Sequence, residues 1–282
     1  MMVHIKKLPI LISVPHGGIE FPENLIGKCL LTKKEILLDS DTWTKDLYHF
    51  KDNVEEYVDT NISRLVVDLN RELNDLPPAN PDGIVKTLSV VGKQVWDKAD
   101  GLSKVEIDQL VAMYYRPYHS KLETAALNPN VILGIDCHSM LDVGPSKTQQ
   151  SWEQRPLFCI GNRGSATGDT LRETITAPPE LMLRFKHLLE ENFRGIVDEI
   201  VGVPLVAINQ PFAGGYITRH HGSKGNIPWI QLEINRRLYV PNLQSITLEP
   251  TETDIAIITR TRDILLKVFG ELVGEEGLPL SG

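Results

Sequence analysis

Two histidines follow apolar runs in positions that favour metal binding. His16 comes shortly after the run Pro9–Val14 and precedes two glycines, and His138 directly follows the run Val131–Cys137. A lone histidine at either position is more often one that caps a turn or is satisfied in the core. Two of them at two predicted strand ends favour a metal site, because neutral imidazole is the commonest ligand of catalytic zinc. Asp136 is close enough in sequence to His138 to orient its ring.

The segment Asp39–Trp43 offers a third ligand. Catalytic zinc usually has three protein ligands and an open position for water, and two histidines with one carboxylate form a standard set. We predict that Asp41 is the ligand, with Asp39 as the alternative. The competing interpretation is that both aspartates only mark the end of a helix or cap one.

Glu233 is a carboxylate inside an apolar run, with Leu232 and Ile234 beside it. A buried charge is costly without a partner, so Glu233 is either paired or has a raised pKa. A raised pKa suits a general base that takes a proton from water. The alternative is a structural ion pair with an arginine.

Three arginines on predicted strand or loop segments, Arg64, Arg71 and Arg219, indicate an anionic ligand if they converge on one pocket. Arginine binds carboxylates in a bidentate fashion. Each of them alone is more often exposed or a bridge between other groups. Cys137 is not predicted to be a nucleophile, because strand alternation places it on the face opposite His138.

The elements that position these residues alternate between strands and helices. Besides the two runs that precede the histidines, the predicted strands are Ile62–Leu69, Leu157–Ile160, Val203–Ile208 and Trp229–Ile234. Capping boxes at Thr32 and Ser103 begin helices, and two longer helices are predicted over Pro178–Val201 and Thr251–Val273. Asn74–Gly92, Gly144–Arg155 and Gly161–Asp169 are predicted loops. The alternation predicts an α/β fold, a three-layer αβα sandwich with a mixed, largely parallel central sheet.

Length and charge bound the remaining possibilities. The 282 residues contain no convincing linker, and a single domain over residues 1–282 is predicted. The net charge of −8 argues against a nucleic-acid partner. No apolar stretch approaches the ~20 residues that cross a membrane, and no signal peptide is expected. The three cysteines have no CxxC spacing, which favours reduced thiols and a cytoplasmic location. The oligomeric state is not predicted.

Several motifs together resemble those of the N-formylglutamate amidohydrolases. The motifs SVPHGG, DSDTW, SRLVVDLNRE, DCHS, GGYITRHHG and QLEINR occur in that family's order, between about Leu11 and Tyr239. The resemblance implies a fold similar to the phosphorylase/hydrolase-like fold of zinc carboxypeptidases and aspartoacylase-like deacylases. The sequence departs from the carboxypeptidase pattern in lacking His-x-x-Glu, since Glu20 lies four residues after His16. Trp43 and His221 replace the histidine and tyrosine of many family members.

The resemblance implies zinc-dependent hydrolysis of N-formylglutamate to glutamate and formate, as in histidine degradation. One Zn²⁺ would be held by His16, Asp41 and His138 with a water in the open position, and Glu233 would be the base. Arg71 and Arg219 would hold the two substrate carboxylates, and Arg64 would either help them or act in catalysis by stabilising the oxyanion. The expected substrate-binding residues are Asn70, Arg71, Arg219 and Tyr216. The alternatives are a related deacylase or carboxypeptidase acting on another acidic N-acyl amino acid, and a non-catalytic binder of acidic amino acids.

Overall fold

A six-stranded mixed sheet forms the centre of the molecule. The computed structural model describes residues 7–98, 101–145, 152–243 and 245–274. The sheet has the strand order β2-β1-β3-β8-β6-β7. The first four strands in this order run parallel to one another, whereas β6 runs antiparallel to β8 and parallel to β7. The strands are β1 (Leu8–Val14), β2 (Val54–Asp59), β3 (Leu133–Met140), β6 (Phe158–Gly161), β7 (Val206–Ile208) and β8 (Trp229–Asn235).

Helices cover both faces of this sheet, which confirms the predicted three-layer α/β architecture. Apolar residues of α3 (Thr44–Leu47), α6 (Pro179–Phe193) and α8 (Glu252–Leu272) pack on one face. Apolar residues of α1 (Glu23–Ile26), α4 (Lys104–Leu110), α5 (Arg116–Ala125) and α7 (Tyr216–Gly222) pack on the other. The short helix α2 (Lys33–Asp39) contributes side chains to both clusters.

Strand alternation separates the two cores. In β1, Ile10, Ile12 and Val14 belong to the cluster with α6 and α8, whereas Leu11 belongs to the cluster with α4 and α5. Because neighbouring parallel strands keep the same alternation, whole rows of side chains across β1, β3 and β8 face one helix layer or the other. Ser13, Asp136, His138, Gln231 and Glu233 therefore share one face of the sheet.

Local sequence signals account for the helix boundaries. Thr32, Ser103 and Thr251 form capping boxes at the starts of α2, α4 and α8, and the first two of these boxes confirm the predictions. A π-helical segment, Val111–Tyr115, joins α4 to α5 just before Pro117, which has no N–H to donate to the preceding turn.

Several boundaries differ from the predictions. The predicted strand Ile62–Leu69 is mostly turns, with isolated bridges only at Ile62 and Ser63, so that prediction is wrong. This segment has an apolar composition because Leu65, Val66 and Val67 are buried in the cluster that packs against α4 and α5. Helix α6 ends at Phe193, eight residues before the predicted Val201. Glycine at 195 with a φ of 76° follows that end, in the left-handed region that favours glycine.

The predicted loop Gly144–Arg155 contains strand residues that were not expected. Strands β4 (Val143–Pro145) and β5 (Trp152–Gln154) pair antiparallel in a separate two-stranded sheet. Within the described residues, the structure contains no helix with the length and apolar character that a membrane span needs.

Candidate active site

The register of β3 and β8 places the predicted base beside a predicted metal ligand. His138 pairs with Glu233, and Asp136 pairs with Gln231. Ser13 of β1 pairs with Asp136 from the other side and donates a hydrogen bond of 2.9 Å to it. These side chains form a buried polar area at the carboxyl ends of parallel strands, where open α/β sheets bind ligands.

His16, Asp41 and His138 converge at one point. The Nδ1 atoms of the two histidines lie 3.2 Å apart, and the Nδ1 atom of His138 lies 3.2 Å from Oδ2 of Asp41. The Nδ1 atom of His16 lies 3.8 Å from the same oxygen. All three side chains are buried. The structure thus brings together the three residues predicted as ligands.

A carboxylate stands behind each of the two histidines. The Nε2 atom of His16 lies 2.7 Å from Asp68 Oδ1, and the Nε2 atom of His138 lies 2.9 Å from Asp136 Oδ2. A carboxylate accepts hydrogen bonds, so each Nε2 carries the proton and each Nδ1 of a neutral ring presents a lone pair. The predicted contact between Asp136 and His138 is therefore confirmed.

This donor set fits a divalent cation. Two imidazole lone pairs and a carboxylate oxygen point at one another, and lone pairs at such distances repel unless a cation or proton lies between them. Ligand atoms 2.0–2.1 Å from a tetrahedral metal are about 3.3 Å apart, close to the separations found here. Each ring is also oriented by a carboxylate, as in known histidine metal sites.

The charges around the cluster also fit a cation. Four buried carboxylates meet two guanidinium groups here, Arg64 and Arg236, which leaves two excess negative charges when all four are ionised. The carboxylates are Asp41, Asp68, Asp136 and Glu233. Burial acts to lower the pKa of His138, but the Asp136 and Asp41 carboxylates outweigh it and raise the pKa well above its usual value. The environment therefore favours positive charge at this point.

Arg236 holds the turn that carries Asp41. Its guanidinium donates to the carbonyl oxygens of Leu38 and Ser40 at 2.9 and 2.5 Å, and to Ser139 Oγ at 3.1 Å. The Asp41 backbone N–H donates to the His16 carbonyl oxygen at 3.0 Å. Arg236 is buried, and the sequence predictions did not include it. Its position directly after the strand of Glu233 was the available signal.

Asp39, the alternative ligand, lies outside the cluster. Its carboxylate accepts a hydrogen bond from the Val90 backbone N–H at 2.5 Å and lies 3.3 Å from Lys86 Nζ. Lys86 is itself buried and pairs with Asp82 at 2.7 Å. Asp39 thus fixes the loop Asn74–Gly92 to the end of α2.

Glu233 has the environment expected of a buried base. Burial raises the pKa of its carboxyl group to about 7, against the opposing effect of the His138 charge. Gln231 Nε2 donates to Glu233 Oε1 at 2.9 Å. No arginine forms an ion pair with Glu233 among the residues that the structure describes, which disfavours the alternative of a structural ion pair.

The predicted arginines occupy different places. Arg64 donates to Asp68 Oδ2 at 2.7 Å, and its Nη1 atom lies 4.0 Å from Asp41 Oδ1, so it borders the cluster. Arg71 pairs with Asp82 at 2.6 Å, and Arg219 pairs with Glu72. Both of these guanidinium groups are partly exposed and already have carboxylate partners.

Asn70 lies against the site, whereas Tyr216 lies on α7, which the Asn70 side chain contacts. The Asn70 Oδ1 atom accepts the Ile217 backbone N–H at 2.7 Å, and its Nδ2 atom lies 3.2 Å from His138 Nε2. Because that Nε2 is already a donor to Asp136, the Asn70 amide N–H has no acceptor there. Tyr216 begins α7, and its ring lies 5.5 Å from that of His119. The predicted strand or loop around Arg219 is a helix, which corrects that prediction.

The fold and the site define an α/β protein with a buried cluster of two histidines and an aspartate beside a glutamate. A family model described as N-formylglutamate amidohydrolase matches residues 8–240. The chain therefore belongs to the N-formylglutamate amidohydrolase family.

Two curated relatives are similar over most of the chain. An N-formylglutamate deformylase of Pseudomonas putida is 27% identical over 252 residues, with 86% of each chain covered. A second N-formylglutamate deformylase, from Pseudomonas aeruginosa, is 25% identical over 244 residues, with 83% of each chain covered.

Two solved structures share the fold. The N-formylglutamate amidohydrolase from Ralstonia eutropha JMP134 superposes with a TM-score of 0.69 at 21% identity, covering 95% of this chain and 94% of that one. A gene product from Agrobacterium tumefaciens superposes with a TM-score of 0.59 at 14% identity, covering 95% of this chain and 90% of that one. At these identities the likeness is one of fold.

Proposed function

We propose that this chain hydrolyses the amide bond of N-formyl-L-glutamate to give glutamate and formate, with one zinc ion held by His16, Asp41 and His138. The observation that carries the proposal is the convergence of the Nδ1 atoms of His16 and His138 on the Asp41 carboxylate, at the strand pair that also carries Glu233. The substrate is proposed from the curated relatives, whose names specify it. The acting unit is proposed to be a single domain over residues 1–282.

When bound, zinc would lower the pKa of a coordinated water and polarise the formyl carbonyl. Asp68 and Asp136 keep the proton of each ring on Nε2, so that both Nδ1 atoms remain available as ligands. Arg236 keeps the Asp41 turn against His16. These groups position the ligands before substrate arrives.

Glu233 moves the proton in this proposal. Its carboxylate takes a proton from the attacking water and returns it to the nitrogen of the leaving glutamate. The pKa of about 7 suits both steps, because the group is a competent base at neutral pH and a competent acid once protonated. Its pairing with His138 in the sheet register supports this role, because it places Glu233 next to one of the proposed ligands.

Polar groups around the cluster would bind the substrate. Arg64 borders Asp41 and is proposed to stabilise the negative charge that develops on the formyl oxygen. The free N–H of the Asn70 amide is proposed to donate to the substrate. Arg71, Arg219 and Tyr216 are proposed to contribute to the rim of the pocket, where the two arginines would exchange their present partners for substrate carboxylates.

Formate release tests the proposal. Purified protein is supplied with N-formylglutamate, N-acetylglutamate and a peptide ending in glutamate, and formate, acetate and glutamate are quantified. We expect formate and glutamate in equal amounts from the first substrate and much slower release from the other two. Faster cleavage of the acetyl substrate or of the peptide would replace the proposed activity by that of another deacylase or of a carboxypeptidase. No product from any of them would overturn it.

A further inference from the structure

Arg155 lies at the edge of the sheet where the proposed active site is located. It follows β5 and precedes β6 by two residues, Pro156 and Leu157. Its carbonyl oxygen accepts a hydrogen bond of 3.3 Å from the Asn235 side chain, at the carboxyl end of β8. Its backbone N–H donates to the Asp142 carbonyl oxygen at 2.8 Å, just beyond the end of β3. The backbone of Arg155 is thus fixed to the ends of the two strands that carry His138 and Glu233.

The side chain of Arg155 packs against Phe212 and Gly144. Its guanidinium carbon lies 5.0 Å from the centre of the Phe212 ring, in a cation–π arrangement. On another side it lies directly over Gly144, where a Cβ atom would overlap the guanidinium. The Phe212 ring and the absence of a side chain at Gly144 therefore accommodate the guanidinium in its observed position.

This guanidinium has no anionic partner among the residues that the structure describes. The other arginines near the site are engaged: Arg64 with Asp68, and Arg236 with backbone carbonyl oxygens. Arg155 is partly buried, and burial lowers its pKa while the charge of Glu233 acts in the opposite direction. A partly buried cation without a partner is unfavourable, so an incoming anion would gain from meeting it.

From this geometry we propose that Arg155 binds a carboxylate of the acidic substrate and so sets the preference for anionic N-acyl amino acids. The inference rests on the proposed function and adds a specificity residue to it. Arg71 and Arg219 must break an existing ion pair to perform this role, whereas Arg155 need not. The planar guanidinium, which contacts Phe212 and Gly144, can bind a carboxylate in a bidentate fashion.

The first test compares substrates that lack one carboxylate. The variant Arg155→Gln is assayed with N-formylglutamate, N-formylglutamine and N-formyl-4-aminobutyrate, beside Arg260→Gln, which removes an exposed guanidinium of α8. We expect Arg155→Gln to lower kcat/KM for N-formylglutamate by roughly 10–100-fold, mainly through KM. The loss should disappear for the substrate that lacks the carboxylate bound by Arg155. An equal loss on all three substrates, or no loss, overturns the inference.

The second test changes Gly144, against which the Arg155 side chain packs. Gly144→Ala adds the Cβ atom that displaces the guanidinium, so it should lower kcat/KM in the same direction as Arg155→Gln. In the Arg155→Gln background the same change should have little further effect, because the displaced group is already gone. Additive losses in the double variant contradict the proposed contact.

A third measurement separates this inference from the proposed function. Glutarate, a dicarboxylate without an amide, is titrated calorimetrically into the wild-type protein and into Arg155→Gln. Binding that weakens by roughly 10–100-fold in the variant supports the anion site, even if the wild-type protein releases no formate. Equal affinity in both proteins, or no binding to the wild type, overturns it. Failure of the proposed function appears instead as absence of formate from the wild type.

Discussion

At the scale of single residues, the site depends on where each imidazole proton lies. Asp68 and Asp136 hold the protons of His16 and His138 on Nε2, and both Nδ1 atoms then face Asp41. A histidine whose Nε2 lacked such a partner would be free to turn or to change tautomer. The carboxylates of Asp68 and Asp136 are therefore as necessary to this arrangement as the three proposed ligands.

Glu233→Gln tests the role of the base. The amide keeps the size of the side chain and the neighbourhood of Gln231 but cannot take a proton. We expect turnover of N-formylglutamate to fall on the order of 10²–10⁴-fold while zinc content is unchanged. Steady-state kinetics and metal analysis of the same preparation measure both quantities. Full turnover in this variant would contradict the assignment.

The pH dependence follows from the same carboxyl group. Burial raises the pKa of Glu233 to about 7, so its base form is lost as the pH falls below neutrality. We expect kcat/KM to decrease on the acid side, with the midpoint at or below 7, because a bound cation lowers the pKa further. A pH profile from 5 to 9, as proposed assay conditions, measures this limb. A rate that increases toward pH 5 would be inconsistent with a glutamate base.

Asp41→Asn and Asp39→Asn form a matched pair. The first change weakens a ligand, so we expect zinc affinity to fall by more than the roughly 10–100-fold that loss of an outer partner costs. The second change removes the partner of Lys86 and Val90, so we expect lower thermal stability with zinc affinity nearly unchanged. Competition with a fluorescent zinc chelator gives the affinities. If zinc binding were weakened in Asp39→Asn and not in Asp41→Asn, Asp39 would be the ligand and Asp41 would have the structural role.

Single residues were predictable where polarity conflicts with the surrounding pattern. His138 stands out because it directly follows an apolar run, and Glu233 because it lies within one, and both are buried at the candidate site. Asp68 gives the same signal within the run Ile62–Leu69, yet it was not assigned a role. The partners of Arg71 and Arg219 could not be predicted, because Asp82 and Glu72 lie on loops whose paths are set by tertiary contacts.

At the scale of elements, helix α5 supports the loop that carries Asp68. His119 Nε2 donates to the Leu69 carbonyl oxygen at 3.0 Å, and its Nδ1 atom lies 3.0 Å from His221 Nε2 in α7. Because His119 Nε2 is the donor, Nδ1 of the neutral ring accepts from His221. Burial lowers the pKa of His119 to about 4 and that of His221 to about 2, so both rings are neutral at physiological pH.

This pair gives a prediction for stability against pH. The pKa of folded His119 lies below its ordinary value of 6.5, so its contribution to stability is complete above 6.5 and is lost as the pH falls toward 4. When the pH falls from 7 to 5, the free energy of unfolding should decrease in both proteins. We expect the decrease in His119→Gln to be about 2 kcal/mol smaller than in the wild type. Denaturant unfolding at both pH values measures the difference. As a control, His187→Gln changes an exposed histidine and should show the same pH dependence as the wild type. The prediction is contradicted if His119→Gln also shows the pH dependence of the wild type.

The elements were predicted best where the pattern was long and regular. The helix over Thr251–Val273 and the strands that carry His138 and Glu233 match the structure closely. The run Ile62–Leu69 failed because a buried loop and a buried strand share the same apolar composition. Helix α7 was missed because its seven residues include Thr218 and end in glycine, so they give little helical signal.

At the scale of the whole molecule, two apolar clusters lie on opposite faces of one sheet. Side chains from alternate positions of β1 enter both clusters, so neither face can lose its packing without disturbing the strands that carry the site. A metal is not needed to complete a core of this size. The zinc ion that we propose would therefore have a catalytic rather than a structural role.

We accordingly predict one cooperative unfolding transition. Tryptophan fluorescence follows Trp43 in one cluster and both Trp96 and Trp229 in the other, while far-ultraviolet circular dichroism follows the secondary structure. In a single domain, these two probes should give coincident denaturation curves with the metal removed. Two separated transitions would contradict the proposed single domain.

The most direct test of the central claim is a zinc titration of the chelator-treated protein, with formate release from N-formylglutamate as the measured quantity. We expect no turnover without metal and a linear rise in rate that ends at one zinc ion per chain, because His16, Asp41 and His138 are proposed to form one three-ligand site. Full turnover in protein shown by elemental analysis to be free of metal would contradict it, as would a rate that remains zero after zinc is bound.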